Sequence, residues 1–178
     1  AAHVFDVLVP DDVEPLVRNA ADNLGEPSNA LNHLLQGNLR DAAGSTVRFV
    51  LNSTLGLGGL LDPAAAFGLH EHETDFGETL HVAGAREGAY VELPVFGPST
   101  QRDAVGTVVD FLIDPLGQLS GEHARNALTV RAAGLVATRS QFGDTIDGVL
   151  YDSADSYAQS RLLYLQNRRF ELGDTQPM

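Results

Sequence analysis

The sequence predicts an all-α protein with one long ordered loop around residues 87–98. Three observations predict it. Apolar residues recur at helical spacing along most of the chain, proline and glycine fall where helices should begin and end, and no convincing alternating series marks a set of strands. There is no internal repeat and no low-complexity tract, so residues 1–178 read as a single domain, long enough to bury a core without a disulfide or metal.

Pro15 suits the first position of a helix whose apolar face is Leu16, Val17, Ala20 and Leu24, with Gly25 to close it. Ser28 suits the cap of a short helix carrying Ala30, Leu31, Leu34 and Leu35, with Gly37 after it. Asn38 caps the next, whose stripe is Leu39, Ala43, Val47, Val50 and Leu51. Asp62-Pro63 is a strong helix start, cap then proline, and Gly68 is an early stop. Asp75 to Ala83 reads as helix. Residues 89–98 hold Pro94 and Pro98 and cannot form an uninterrupted helix; they read as an extended or hairpin-like loop with an apolar tip. Ser99 then caps a helix with Ala104, Val105, Val108 and Leu112, stopped at Pro115. Glu122 to Thr138 is helical, with Ala124, Leu128, Ala132, Leu135 and Val136 on one side. A last helix runs from about Ser153 to Phe170 with Ala158, Leu162 and Leu165 inward, and Arg168 and Arg169 complement the dipole of its last turn.

Charge narrows the range of partners. The 24 acidic residues face 11 basic ones, all arginine, for a net charge of −13. Such a chain has no long-range attraction to nucleic acid or to an anionic lipid surface. Cysteine is absent, which excludes disulfides, thiol catalysis and thiolate metal sites. Residues 1–6 do not read as a signal peptide, and the chain starts with an apolar segment already in progress, so an upstream part is expected to be missing.

The segment from Phe49 to Leu69 carries a single charge, Asp62, over the length a bilayer core requires. It makes a poor spanning helix, because Gly56, Gly58, Gly59 and Gly68, the polar Asn52-Ser53-Thr54 and the Asp62-Pro63 break interrupt it. It reads as two shorter apolar helices joined by a glycine hinge. Short apolar runs usually pack in a core; the other reading is a seat within one leaflet.

Local motifs offer little catalysis. Residues 56–61 imitate a nucleotide fingerprint, but the third glycine is replaced by Leu61 and no βαβ unit surrounds it. His70 and His72 are weak metal candidates: they suit one side of an extended loop, yet zinc needs three or four ligands, with His81 the only other nearby histidine. Asp75-Phe76-Gly77 spells a kinase tripeptide without the rest of that fold, and no Gly-x-Ser-x-Gly elbow occurs.

The run Phe49-Val50-Leu51-Asn52-Ser53-Thr54-Leu55-Gly56-Leu57-Gly58-Gly59-Leu60-Leu61-Asp62 resembles the F-x-x-N-(S/T)-x-x-G-x-G-G-x-x-D run of the VacJ/MlaA family of outer-membrane lipoproteins. Asp75 to Leu80 resembles its D-F-G-x-T-L. Gly88 to Pro94 with Gly97-Pro98-Ser99 and Arg102-Asp103 resembles its G-x-Y-x-x-L-P and G-P-S-x-x-R-D. Asn23 to Pro27, Leu35-Gln36-Gly37, Arg131-Ala132, and Asp155, Tyr157, Arg161, Tyr164, Gln166 and Arg168 follow the family's order on either side, so the likeness covers about Val9 to Arg168.

The resemblance implies a ring-like assembly of amphipathic helices in the inner leaflet of a Gram-negative outer membrane, on its periplasmic side. It implies an amphipathic channel, held by a trimeric porin, that removes misplaced phospholipid from the outer leaflet and passes it to a soluble periplasmic lipid-binding carrier. No cofactor, no enzymatic step and no nucleic acid are implied. Phe49, Val50, Leu51, Leu55, Leu57, Leu60, Leu61 and Phe67 would then meet acyl chains or neighbouring helices, Asn52, Ser53 and Thr54 would face a polar interior, and Gly56, Gly58 and Gly59 would bend the segment. Leu93, Pro94, Phe96 and Gly97 would form a gate, with Gly88 and Gly97 as hinges. Members begin with a lipid-modified cysteine and a helical segment, which are expected to belong to the missing upstream part, and their Trp-Gly after D-F-G-x-T-L is Ala83-Gly84 here. The competing readings are a soluble helical carrier with an enclosed apolar pocket, and a hydrolase.

Overall fold

The computed structural model describes residues 13–94, 96–114, 122–141, 148 and 155–173. Its longest element, α1 (Glu14–Leu35), has Pro15 in its first turn and ends at Gln36, before Gly37 with φ +79°. The sequence divides this stretch at Gly25 and Ser28; the structure does not. Pro27 sits inside one continuous helix. Ser28 does not cap; its hydroxyl donates to Asp114 Oδ1 at 3.1 Å. The Leu24 carbonyl, one turn before Ser28, accepts from the Arg131 guanidinium. Tertiary partners thus carry the helix through a proline that would cost about 3 kcal/mol in isolation.

Asn38 caps α2 (Leu39–Thr54), accepting from the Asp41 N–H at 3.3 Å. Asp62 caps the short α3 (Pro63–Ala66) through the Ala65 N–H, and Asp75 caps α4 (Phe76–Val82) through the Glu78 N–H. The 87–98 loop contains a hairpin, so the all-α fold carries one small sheet: β1 (Tyr90–Leu93) pairs antiparallel with β2 (Gly97–Thr100), Tyr90 opposite Thr100 and Leu93 opposite Gly97. Strands of four residues are too short to show an alternating pattern. Thr100, not Ser99, caps α5 (Gln101–Ile113): its hydroxyl accepts from the Asp103 N–H at 3.2 Å. The chain continues in α6 (Glu122–Gln141) and α7 (Ser156–Glu171), the latter capped by Asp155. Ala124, Thr138 and Ser153 fall at positions whose side chains lie outside the described residues.

Helix α1 packs against α2 and against α6, and α4 packs on α5. Small residues permit two of these approaches. A Cβ on Gly106 would collide with the Gly77 backbone, and one on Gly134 with the Ala21 methyl. The hairpin rests on α5 and α7, where Tyr90 meets Tyr157 edge-on at 5.5 Å and Tyr164 at 6.3 Å.

The distribution of side chains is inverted. Among the described residues the fully apolar buried side chains are all alanine: Ala20, Ala42, Ala64 and Ala137. The buried polar set includes Asn23, Glu26, Asn32, Arg48, Asn52 and Asp103. Large apolar side chains stand outward instead: Leu34 and Leu35 on α1, Leu39, Val47 and Val50 on α2, and Val105, Val108, Phe111 and Leu112 on α5. Leu128 and Leu135 on α6 and Leu162 on α7 are exposed as well, so these stripes face away from the interior the sequence reading gave them. In a water-soluble helical protein the periodic apolar face turns inward. Here the periodicity is real, but the large apolar residues named above point outward; on the first half of α1 the stripe keeps its expected side, with Ala20 buried and Leu16, Val17 and Leu24 half-buried. Among the described residues no helix is long and apolar enough to cross a membrane.

Candidate functional site

The interior is held by arginines, each shared among acceptors. Arg48 of α2 donates to Glu26 of α1 through Nε, to the Leu69 carbonyl at 2.6 Å and to Asp62 at 3.2 Å; Glu71 lies at 3.8 Å. Glu26 is 0% exposed. Asn52 joins this knot: its amide donates to Asp62 Oδ1 at 2.9 Å and its carbonyl oxygen accepts from the Ala64 N–H at 3.1 Å. One residue thus ties α2 to both the cap and the body of α3.

A second knot closes the fold between distant parts of the chain. Arg168 of α7 donates to Asp75 at 2.6 Å, to Asp103 at 3.3 Å and to Glu171 at 3.3 Å. Asp103 also accepts from Arg102, Thr100 and the Tyr164 hydroxyl. Burial works to raise the Asp103 carboxyl, but these donors outweigh it and hold the group below the usual carboxylate range. The third arginine, Arg131 of α6, pairs with Asp114 at the end of α5 and with the Leu24 carbonyl.

Two cavities lie along α1. The first, of about 660 Å³, is polar and is lined by Asp22, Asn29 and His33 of α1, Asp41 of α2, Glu71 and Glu73 of the loop between α3 and α4, Glu78 of α4 and Arg168 of α7. Helices far apart in sequence therefore stand around one polar space. Its carboxylates crowd one another. Burial, and then the charges of Asp22, Glu26 and Glu73, push the Glu71 carboxyl up to about 7. Burial and Glu73 push Asp22 up to about 6. The second cavity, of about 610 Å³, is mainly apolar and is lined by Phe96, Val108, Phe111 and Leu112, with Ser28 and Arg131 at its polar side. Gly25 and Asn29 line both cavities, so a polar and an apolar space meet along one helix.

The residues singled out in 49–61 fall into two sets. Leu55, Leu57, Leu60 and Leu61 are exposed, while Phe49 is half-buried. Asn52 is buried in the Arg48 knot, and the Ser53 hydroxyl accepts from the Asn23 amide at 3.0 Å. Thr54 does not face the interior: it is exposed, and its hydroxyl returns to the Val50 carbonyl at 2.6 Å. The bend is a tied turn, in which the N–H groups of Gly58 and Gly59 donate to the carbonyls of Ser53 and Asn52. A side chain on Gly56 would collide with the carbonyls of Asn52 and Leu61, and Gly59, at φ +94°, packs on Asn23.

At the hairpin, Phe96 and Pro94 are exposed, Leu93 is half-buried, and Gly97 has φ +80°. Gly88, at φ +77°, lies against the Gln101 side chain. His70 and His72 are exposed, and among the described residues no group of three or more metal-ligating side chains comes together. His72 instead offers its carbonyl to the His33 ring at 3.0 Å.

The family model described as MlaA lipoprotein matches residues 1–171. The chain belongs to the MlaA lipoprotein family. Among curated relatives, the intermembrane phospholipid transport system lipoproteins MlaA of Shigella flexneri and Escherichia coli are 34% and 33% identical over 165 residues, covering 91% of this chain and 64% of each relative. The chain thus spans about 64% of the length of these relatives. The MlaA of Haemophilus influenzae is 31% identical over 98% of the chain. A solved structure described as the structural basis for maintenance of bacterial outer membrane lipid asymmetry superposes with a TM-score of 0.77 at 33% identity, covering 96% of this chain and 85% of that one.

Membership in the MlaA family gives the motif residues a physical reading. Those that carried the resemblance without a part in the passage are the electrostatic frame: Glu26 lies inside N-L-x-x-P, Arg102-Asp103 is the R-D pair, and Arg131, Tyr164 and Arg168, the last read from sequence only as complementing its helix dipole, are downstream motif positions. Sequence reasoning named the apolar and glycine positions and passed over these. One signal was available. Asn23, Glu26, Asn29 and Asn32 recur every three residues along α1, a polar stripe at helical spacing, and that stripe is the buried face.

Proposed function

We propose that this chain is a non-enzymatic passage for phospholipid. In this reading it sits in the inner leaflet of a Gram-negative outer membrane, removes misplaced phospholipid from the outer leaflet and hands it to a soluble periplasmic carrier, with a trimeric porin holding it in place. The observation that carries the reading is the inversion of the fold: among the described residues every buried side chain larger than alanine is polar or charged, and many large apolar side chains face outward. The names of the relatives and of the superposed structure support it.

The physical problem is to move a two-tailed lipid without dragging its headgroup through hydrocarbon, a step that costs several kcal/mol or more. The exposed leucines of 55–61 and the α5 face seat the protein among acyl chains. The polar cavity offers the headgroup a path, and the apolar cavity beside it, with Phe96 at its edge, keeps a tail out of water. The hairpin tip from Leu93 to Gly97 acts as the gate. Reaction direction needs no energy source, since it follows from where the lipid starts and which carrier collects it.

Reconstitution tests this. The chain, added to phospholipid vesicles, is expected to float with them and to speed transfer of a fluorescent phospholipid to a soluble acceptor. A chain that stays monodisperse in plain buffer and ignores vesicles overturns the reading and favours the soluble carrier.

A further inference from the structure

The hairpin is held on two sides by different kinds of contact. On the side of α5 the hold is backbone. The N–H groups of Gln101 and Arg102 donate to the carbonyls of Ala89 and Glu87 at 2.9 and 3.2 Å, and Gly88, at φ +77°, lies between those two acceptors. On the side of α7 the hold is made by side chains. The Arg169 guanidinium grips the Glu87 carboxylate at two points, through Nε at 3.1 Å and Nη2 at 3.0 Å. The Tyr90 ring meets Tyr157 edge-on, tilts against Tyr164 and lies 6.0 Å from the Arg161 guanidinium. Backbone bonds around a glycine make a hinge. A half-exposed ion pair and aromatic edges make a latch, because each is weak enough to break without unfolding an element.

Beneath the hairpin lies a smaller cavity of about 280 Å³, less than half the volume of either cavity along α1. Leu93 and Phe96 of the hairpin, Thr107 of α5 and Asn167 of α7 are among its walls. It shares Phe96 and Thr107 with the apolar cavity, and Asp75, Arg168 and Glu171 with the polar one. It is therefore the narrow place between them, with the hairpin as one wall and α7 as another. Its volume lies below the roughly 300–1,000 Å³ of sites for drug-sized ligands, and a phospholipid is larger still.

Resting on the lipid-passage reading, we infer that the contacts between the hairpin and α7 set the width of this narrow place. Glu87 and Arg169, with Tyr90 and Tyr157, are positioning residues that hold the hairpin down over the small cavity. When they part, the hairpin swings on Gly88 and opens a way from the apolar to the polar cavity. The latched protein passes lipid slowly and the unlatched protein passes it fast. The latch does not touch the lipid; it acts through the wall carried by Leu93 and Phe96.

The chain has no cysteine, so spin labels placed by Pro94→Cys and Gln166→Cys, both at exposed positions, report the distance from hairpin to α7 in the full chain. Three variants are compared with the parent, each with helix content checked by circular dichroism. E87R sets two cations against each other. It is expected to lengthen and broaden that distance and to speed transfer of a fluorescent phospholipid from vesicles to a soluble acceptor severalfold. Y157S, at an exposed position, loosens the latch through its other contact and is expected to act in the same direction. The exchange E87R/R169E restores the pair and should return both readings toward the parent. An unchanged distance in both single variants, a longer distance with transfer unchanged or slowed, or an exchange that stays loose overturns the latch inference and leaves the passage reading standing. A parent that transfers no phospholipid overturns the passage reading, and the latch with it.

Discussion

Arg48 carries more of the fold than any apolar residue in its helix. Its guanidinium neutralises Glu26, which has no exposure to water, and also reaches Asp62 and the Leu69 carbonyl. Removing one member of a buried pair strands the other, at about 3–5 kcal/mol. Arg48→Met is therefore expected to lower the unfolding free energy by about that amount in chemical denaturation, and adding Glu26→Gln should restore part of it. Glu71 sets a different expectation. Its carboxyl, raised from 4.5 to about 7, holds its proton more tightly folded than unfolded, as does Asp22, raised from 3.8 to about 6. Stability from these groups therefore falls as pH climbs between their ordinary and raised values. Asp62 and Asp103, both held low, lose their contribution instead as pH falls below the ordinary carboxylate value. Thermal melts should show a higher midpoint at pH 5 than at pH 7.5, and Glu71→Gln should flatten that dependence. None of this was legible beforehand, because a carboxylate's partner depends on which helices meet, and nothing local encodes that.

At the scale of the element, the glycine-rich turn after α2 makes the sharpest demands. Gly58 has φ +77° with open space around it, so Gly58→Ala should cost only about 1 kcal/mol. Gly58→Pro also removes the N–H that donates to Ser53 and cannot adopt that φ. It is expected to impair vesicle-to-acceptor transfer more than it lowers helix content; normal transfer would show that the turn is dispensable. Two helix starts here were legible, Asp62-Pro63 and Asn38 capping as their residue types dictate, and the helix read from Asp75 opens with that residue as its cap. The continuity of α1 was not. Gly25 and Pro27 are sound local stop signals, and they lose to contacts with Arg131 and Asp114 from positions more than eighty residues away. The hairpin was half legible, its extended character plain from two prolines, its pairing hidden in strands of four residues.

On the scale of the whole molecule, periodicity disclosed which residues share a face and was silent on which solvent that face meets. A stripe of leucines looks the same whether it turns toward a core or toward lipid. The structure supplied the direction, outward for the stripes of α2, α5 and α6. The outward face gives a direct expectation: Val108→Ser with Phe111→Ser, the latter position 78% exposed, should leave helix content unchanged and reduce the fraction that floats with vesicles severalfold. A described interior whose fully buried apolar side chains are alanines has one more consequence, and it is calorimetric. Unfolding in a micelle would newly wet chiefly charged and amide groups, whose hydration lowers the heat capacity where hydrocarbon raises it. The increment on melting should fall well under the roughly 12–15 cal/mol/K per residue of water-soluble domains, leaving a broad, shallow stability curve that varies little between cold and warm.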